Sequence, residues 1–95
     1  MKHYKIYQLK SIAETRYAFR SWEEAEKYFS MDDYKLVYEG SIKSDSDINI
    51  LNKLWDVFNL DHPHDFRGHS MSMSDVVQIN GKRYYCDSRG WKELK

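Results

Sequence analysis

Ninety-five residues suffice for one compact domain and are too few for two, and no apolar stretch among them reaches the length of a membrane span. Fifteen Lys and Arg against fifteen Asp and Glu leave no net charge, which argues against a dedicated phosphate-backbone binder, because such proteins draw affinity from a basic excess. The single cysteine, Cys86, excludes an intramolecular disulfide framework and a multi-thiolate metal site, and fits a reducing compartment. Met1 to Lys5 leads straight into polar/apolar alternation, without the apolar core of a signal peptide. The expectation is a soluble, cytoplasmic protein with no cofactor. Eight Tyr, four Phe and three Trp give so short a chain enough ring area to build a core.

His3 to Leu9 alternates through Tyr4, Ile6, Tyr7 and Leu9 and reads as a strand. Lys10 to Arg20 has no clear period, although Arg16 to Phe19 could be a short extended piece. Ser21-Trp22-Glu23-Glu24 has the form of a capping box, and Trp22, Ala25 and Phe29 then share one helical face. Asp32-Asp33 breaks that helix, and Tyr34 to Ile42 reads as a second strand. Ser44-Asp45-Ser46-Asp47 opens a second helix running to about Asn59. Its apolar residues, Ile48, Ile50, Leu51, Leu54, Trp55, Val57 and Phe58, fill about half the circumference, more than one sheet contact requires. The helix is therefore central to the fold or covered on a second side by a partner, which raises homodimerisation. Asp61 to Ser74 reads as an irregular loop, followed by a strand over Asp75 to Ile79. Asn80-Gly81 has the signature of a type I′ hairpin turn, with Lys82 to Asp87 as the return strand and Trp91 to Leu94 as a last short one. The order predicts an α+β domain: a small mixed or antiparallel sheet, two helices packed on it, and a C-terminal β-hairpin.

The histidine-bearing loop holds Asp61, His62, His64, Asp65 and His69, residue types that ligate divalent cations. The spacing matches no helical or finger pattern, and Pro63 keeps its neighbours extended, so a polar loop explains the cluster better than a metal site. Within Asp65 to Ser72, Asp65 is expected to cap backbone amides, Phe66 to plug the core and Gly68 to supply a positive φ. Arg67 and His69 either decorate that loop or project from it as partner contacts. Ser70, Ser72 and Ser74 alternate with Met71 and Met73, which fits polar-out, methionine-in packing at a strand start better than a serine–histidine catalytic pair. Cys86 is expected to be a buried, inert thiol. Tyr84, Tyr85 and Trp91, near Lys82, Arg83 and Arg89, have the chemistry of base stacking, but also that of sheet cores and protein interfaces.

Leu54-Trp55-Asp56-Val57-Phe58-Asn59, Asp65-Phe66-Arg67-Gly68-His69-Ser70-Met71-Ser72, Ser74-Asp75-Val76-Val77, Tyr84-Tyr85 and Arg89-Gly90-Trp91 together resemble the YodL-like family of small bacterial domains, which also occur in phages and conjugative elements. The resemblance runs from about Tyr34 to Leu94. It implies a non-enzymatic modulator or inhibitor of a host protein or complex, host defence systems included, and offers no catalytic motif to carry over. The leading expectation is a protein-binding module whose contacts are Arg67, His69, Lys82, Arg83, Arg89 and Trp91. The alternative is a single-stranded nucleic-acid binder using the C-terminal hairpin and Trp91. A small metal-dependent enzyme built on the His/Asp loop ranks third.

Overall fold

The computed structural model describes residues 1–94. In chain order these form β1 (Lys2–Leu9), α1 (Trp22–Ala25), a 3-10 turn (Met31–Asp33), β2 (Tyr34–Ile42), α2 (Asp47–Leu60), β3 (Val76–Ile79), β4 (Lys82–Asp87) and β5 (Gly90–Leu94). The strands make one sheet in the order β2-β1-β3-β4-β5, antiparallel at every step. The Asn80-Gly81 turn is where the sequence places it, both residues having positive φ, 48° and 88°.

Strand alternation divides the core into two layers. Tyr4 faces Ile79, Ile6 faces Val77 and Val77 faces Tyr84, so these residues share one face of the sheet. Against them α2 buries Ile50, Leu51, Leu54 and Phe58, and the following loop adds Phe66 and Met71. Tyr7, Val76 and Tyr85 lie in the next row, on the opposite face. There they meet Leu9, Tyr17, Ala25 and Tyr34, with Trp22 and Phe29 packed edge-on to the Tyr85 ring. The sheet is thus covered on both sides, by a long helix and by the turn-rich 10–33 segment.

The segment between β1 and β2 departs most from the sequence expectation. The first helix is a single turn, and the Ser21 side chain accepts no amide; its hydroxyl instead lies 3.4 Å from Glu24 Oε1. Residues 16–19 are not extended: Tyr17 is 2% exposed and Phe19 takes a φ of 61°. What holds this segment is tertiary. Tyr17 OH donates to Asp33 Oδ2 at 2.8 Å, Phe19 N–H to Ser74 Oγ at 3.1 Å, and Trp22 N–H to Asp87 Oδ1 at 2.9 Å.

The second helix starts two to three residues later than its acidic-serine run suggested, with Ser46 Oγ accepting from Asn49 N–H at 3.3 Å. Its wide apolar arc is only partly used. Ile48 and Trp55 stay 50% and 39% exposed, so the helix rests on the sheet by one side and shows the other outward. On the far edge of the sheet, β2 bulges against β1. Ile6 faces Tyr38 and Tyr7 faces Leu36, which leaves Val37 as the extra residue.

Candidate functional site

Two of the surface concavities lie at opposite edges of the sheet. The first, about 420 Å³, lies between α2 and β5. Asn52 and Trp55 of α2 form one wall, Trp91 of β5 the other, and Met71, Ser72, Met73, Cys86, Asp87, Ser88 and Gly90 complete it. Trp91 is half-buried because it stands opposite Cys86 in the β4–β5 register, on the face that carries α2. Cys86 is buried as expected. Its thiol is pushed up to about 12, chiefly by loss of solvent and further by the Asp75 and Asp87 carboxylates, so it stays protonated at neutral pH. Reaction with a thiol reagent at pH 8 should accordingly proceed only at the rate of unfolding, and a stoichiometric burst in folded protein would contradict this.

The second concavity, about 480 Å³, sits where β1 ends and β2 begins. Lys10 and Ile12 follow β1, Lys35, Leu36 and Val37 come from β2, and Arg67, Gly68 and His69 come from the long loop. The loop is fixed there by Gln8, which is 1% exposed. Gln8 Oε1 accepts from His69 N–H at 3.1 Å, and Gln8 Nε2 donates to His69 O at 2.8 Å and to Asp75 Oδ2 at 3.1 Å. Asp75 Oδ2 also accepts from Ser72 N–H at 2.9 Å. Burial pushes the Asp75 carboxyl up to about 7, an effect opposed by the Ser72 amide, the Gln8 amide and the His69 imidazole. Arg67 is exposed, and its Nη1 donates to His64 O at 3.0 Å.

Several loop assignments are corrected by these contacts. The capping carboxylate is Asp75, not Asp65. Gly68 has no positive φ; it is glycine for want of space, since a Cβ would lie 2.4 Å from Gln8 Oε1 and 2.9 Å from Phe66 Cζ. Residues 70–74 are irregular, in keeping with the loop read over 61–74, but Ser74 points inward, not outward, 1% exposed with a φ of 81°. His69 Nδ1 lies 2.7 Å from Ser70 O, a main-chain acceptor, and Ser72 Oγ is buried with no hydrogen-bond partner. No serine here is paired with an imidazole base. His62 Nδ1 turns to Pro63 O at 3.0 Å, and among the described residues no three His, Cys, Asp or Glu side chains gather as a metal-ligand set.

The six contact residues expected from sequence fall in three places. Arg67 and His69 line the groove at β1 and β2. Trp91 lines the α2–β5 cleft, with Arg89 exposed in the adjoining turn. Lys82 and Arg83 stand at the opposite end of β4, on alternate faces, with Arg83 Nε donating to Gln78 Oε1 at 3.2 Å. Tyr84 and Tyr85 are both buried, so neither offers a stacking surface. Tyr84 OH donates to the Asp47 carboxylate and Tyr85 OH to Arg20 O. Trp55 belongs to the cleft and was missed, because helical periodicity assigned it to the core arc.

Five antiparallel strands with one long helix on one face and a turn-rich cover on the other define a small two-sided α+β domain. The chain belongs to the YodL-like domain family, whose family model matches residues 3–95, so the 10–33 segment is part of the family unit as well. Comparison with curated proteins and with solved structures returned no match. Among the described residues, no helix is long and apolar enough to cross a membrane.

Proposed function

We propose that the domain is a non-catalytic protein-recognition module that modulates or inhibits a host protein complex, with the α2–β5 cleft as its main contact surface. The observation behind this reading is the pairing of Trp55 and Trp91 as partly exposed walls of a cleft also lined by Met71 and Met73. Tryptophan anchors dominate protein interfaces, and methionine adapts to varied apolar side chains. The cleft's titratable groups fit poorly with catalysis. The Cys86 thiol is held protonated, and Asp87 Oδ1 already accepts from the amides of Trp22 and Ser88. A role in phages or conjugative elements, including action against host defence, rests on the family resemblance alone. The nucleic-acid alternative keeps Trp91 and the cations but loses Tyr84 and Tyr85 as stacking rings.

Affinity capture from a bacterial lysate, read by mass spectrometry, tests the proposal. A specific partner protein should be recovered, and Trp55→Ala and Trp91→Ala should each weaken capture by roughly tenfold or more, as truncation of a buried aromatic anchor does. Capture that survives both substitutions unchanged would remove the cleft from the interface.

A further inference from the structure

The groove at the ends of β1 and β2 has a feature that the tryptophan cleft lacks. Its charged side chains are all cationic: Lys10, Lys35 and Arg67, with the imidazole of His69 beside them, and no Asp or Glu lines it. None of the three enters an ion pair among the described residues, where the pairs are Lys2–Asp47, His3–Glu39 and Arg20–Glu24. In a chain with no net charge, gathering cations into one concavity favours a local positive field there. The guanidinium is also oriented in advance. Arg67 Nη1 is tied to His64 O, and the backbone after it is held through His69 by Gln8. The remaining N–H groups of the fork are therefore presented without much further ordering. Beside the cations, Ile12 and Leu36 stand 37% and 45% exposed.

We infer that this groove binds an acidic peptide segment of a partner protein, with carboxylates on Arg67 and Lys35 and an apolar side chain against Leu36 and Ile12. Charge complementarity selects an anion, and the neighbouring residues decide its class. No Phe, Tyr or Trp lines the groove, so a run of bases finds no broad stacking platform beyond His69 and Arg67, whereas exposed Ile and Leu suit the aliphatic side chains of a peptide. The inference shares with the proposed function only the class of partner, since it uses the opposite edge of the sheet.

A fluorescein-labelled peptide of alternating Glu and Leu, followed by anisotropy at low salt, provides the test. Saturable binding is expected, weakening as salt rises, with a Lys-Leu peptide of equal length not bound. Lys35→Glu and Arg67→Glu should each lower affinity by roughly tenfold or more. The two exposed positions lie on separate segments, so a folding defect in one, seen by circular dichroism, leaves the other as the test. Trp55→Ala should leave this binding unchanged, which keeps failure of the cleft distinct from failure of the groove. The inference falls if the Glu-Leu peptide does not bind, if neither charge reversal weakens it, or if single-stranded DNA displaces it at lower concentration than unlabelled peptide.

Discussion

Replacing Asp75 with asparagine is expected to flatten the pH dependence of stability between about pH 4 and pH 7, where the parent domain should weaken as pH rises. The cause is the carboxyl's position, 1% exposed between Gln8 and Ser72, which raises it from 3.8 to about 7. Between those values the unfolded chain has released this proton and the folded chain still holds it. Folding then takes up a proton, and stability falls as the pH climbs. At full value the loss across the window is about 4 kcal/mol. Asp47 works in the opposite sense. Its carboxyl is lowered, first by the Tyr84 hydroxyl and then by Lys2, so its contribution is present at neutral pH and fades as the solution is acidified. Asp75→Asn removes this titration while keeping the local bonds, because the asparagine carbonyl can still accept from Gln8 and Ser72. Urea unfolding at a series of pH values should show the two stabilities converging toward pH 4, with the variant the more stable at pH 7. Parallel curves would mean that Asp75 is ionised in the fold.

Gly68→Ala is expected to destabilise the domain by roughly 2–4 kcal/mol, from overpacking combined with broken buried hydrogen bonds. Its Cβ would fall 2.4 Å from Gln8 Oε1 and within 3.0 Å of two Phe66 ring atoms. Neither neighbour has room to yield. Gln8 is held by His69 and Asp75, and Phe66 packs edge-on to Phe58 at 4.8 Å between centroids. In a domain of this size the midpoint temperature should fall by about 10 °C or more. Gly81→Ala makes the contrast. There φ is 88° but the added carbon meets nothing within 4 Å, so only the backbone preference is lost, about 1 kcal/mol. If the two substitutions cost the same, steric closure around Gly68 is not what fixes the loop.

The parts of the fold legible in sequence are those set by local rules. Asn80-Gly81 specifies its turn through two positive φ values, and α2 announces itself by periodicity and a serine cap. The 10–33 segment was opaque because its structure comes from non-local partners: Phe19 is held by Ser74 and Trp22 by Asp87, while Tyr17 reaches across the segment itself to Asp33. A signal for two-sided coverage was nonetheless present. Val76-Val77 and Tyr84-Tyr85-Cys86 are unbroken apolar runs where a one-sided sheet would alternate. Of the surface features, Arg67, His69 and Trp91 could be picked out as exposed loop or edge chemistry. Their grouping could not, since the lock that arranges the loop joins Gln8 to His69 and Asp75, 61 and 67 residues away.

The placement of β1 between β2 and β3 has a bearing on how the domain is made. Of these five strands β1 is made first yet lies inside the sheet, one in from the β2 edge, and its second neighbour, Val76–Ile79, is made only after β2 and α2. On the ribosome, β1 and β2 can pair early, but one side of β1 stays open until β3 emerges. Closure of that long-range contact should govern the folding rate, and the interval before it is when the nascent chain most needs a chaperone.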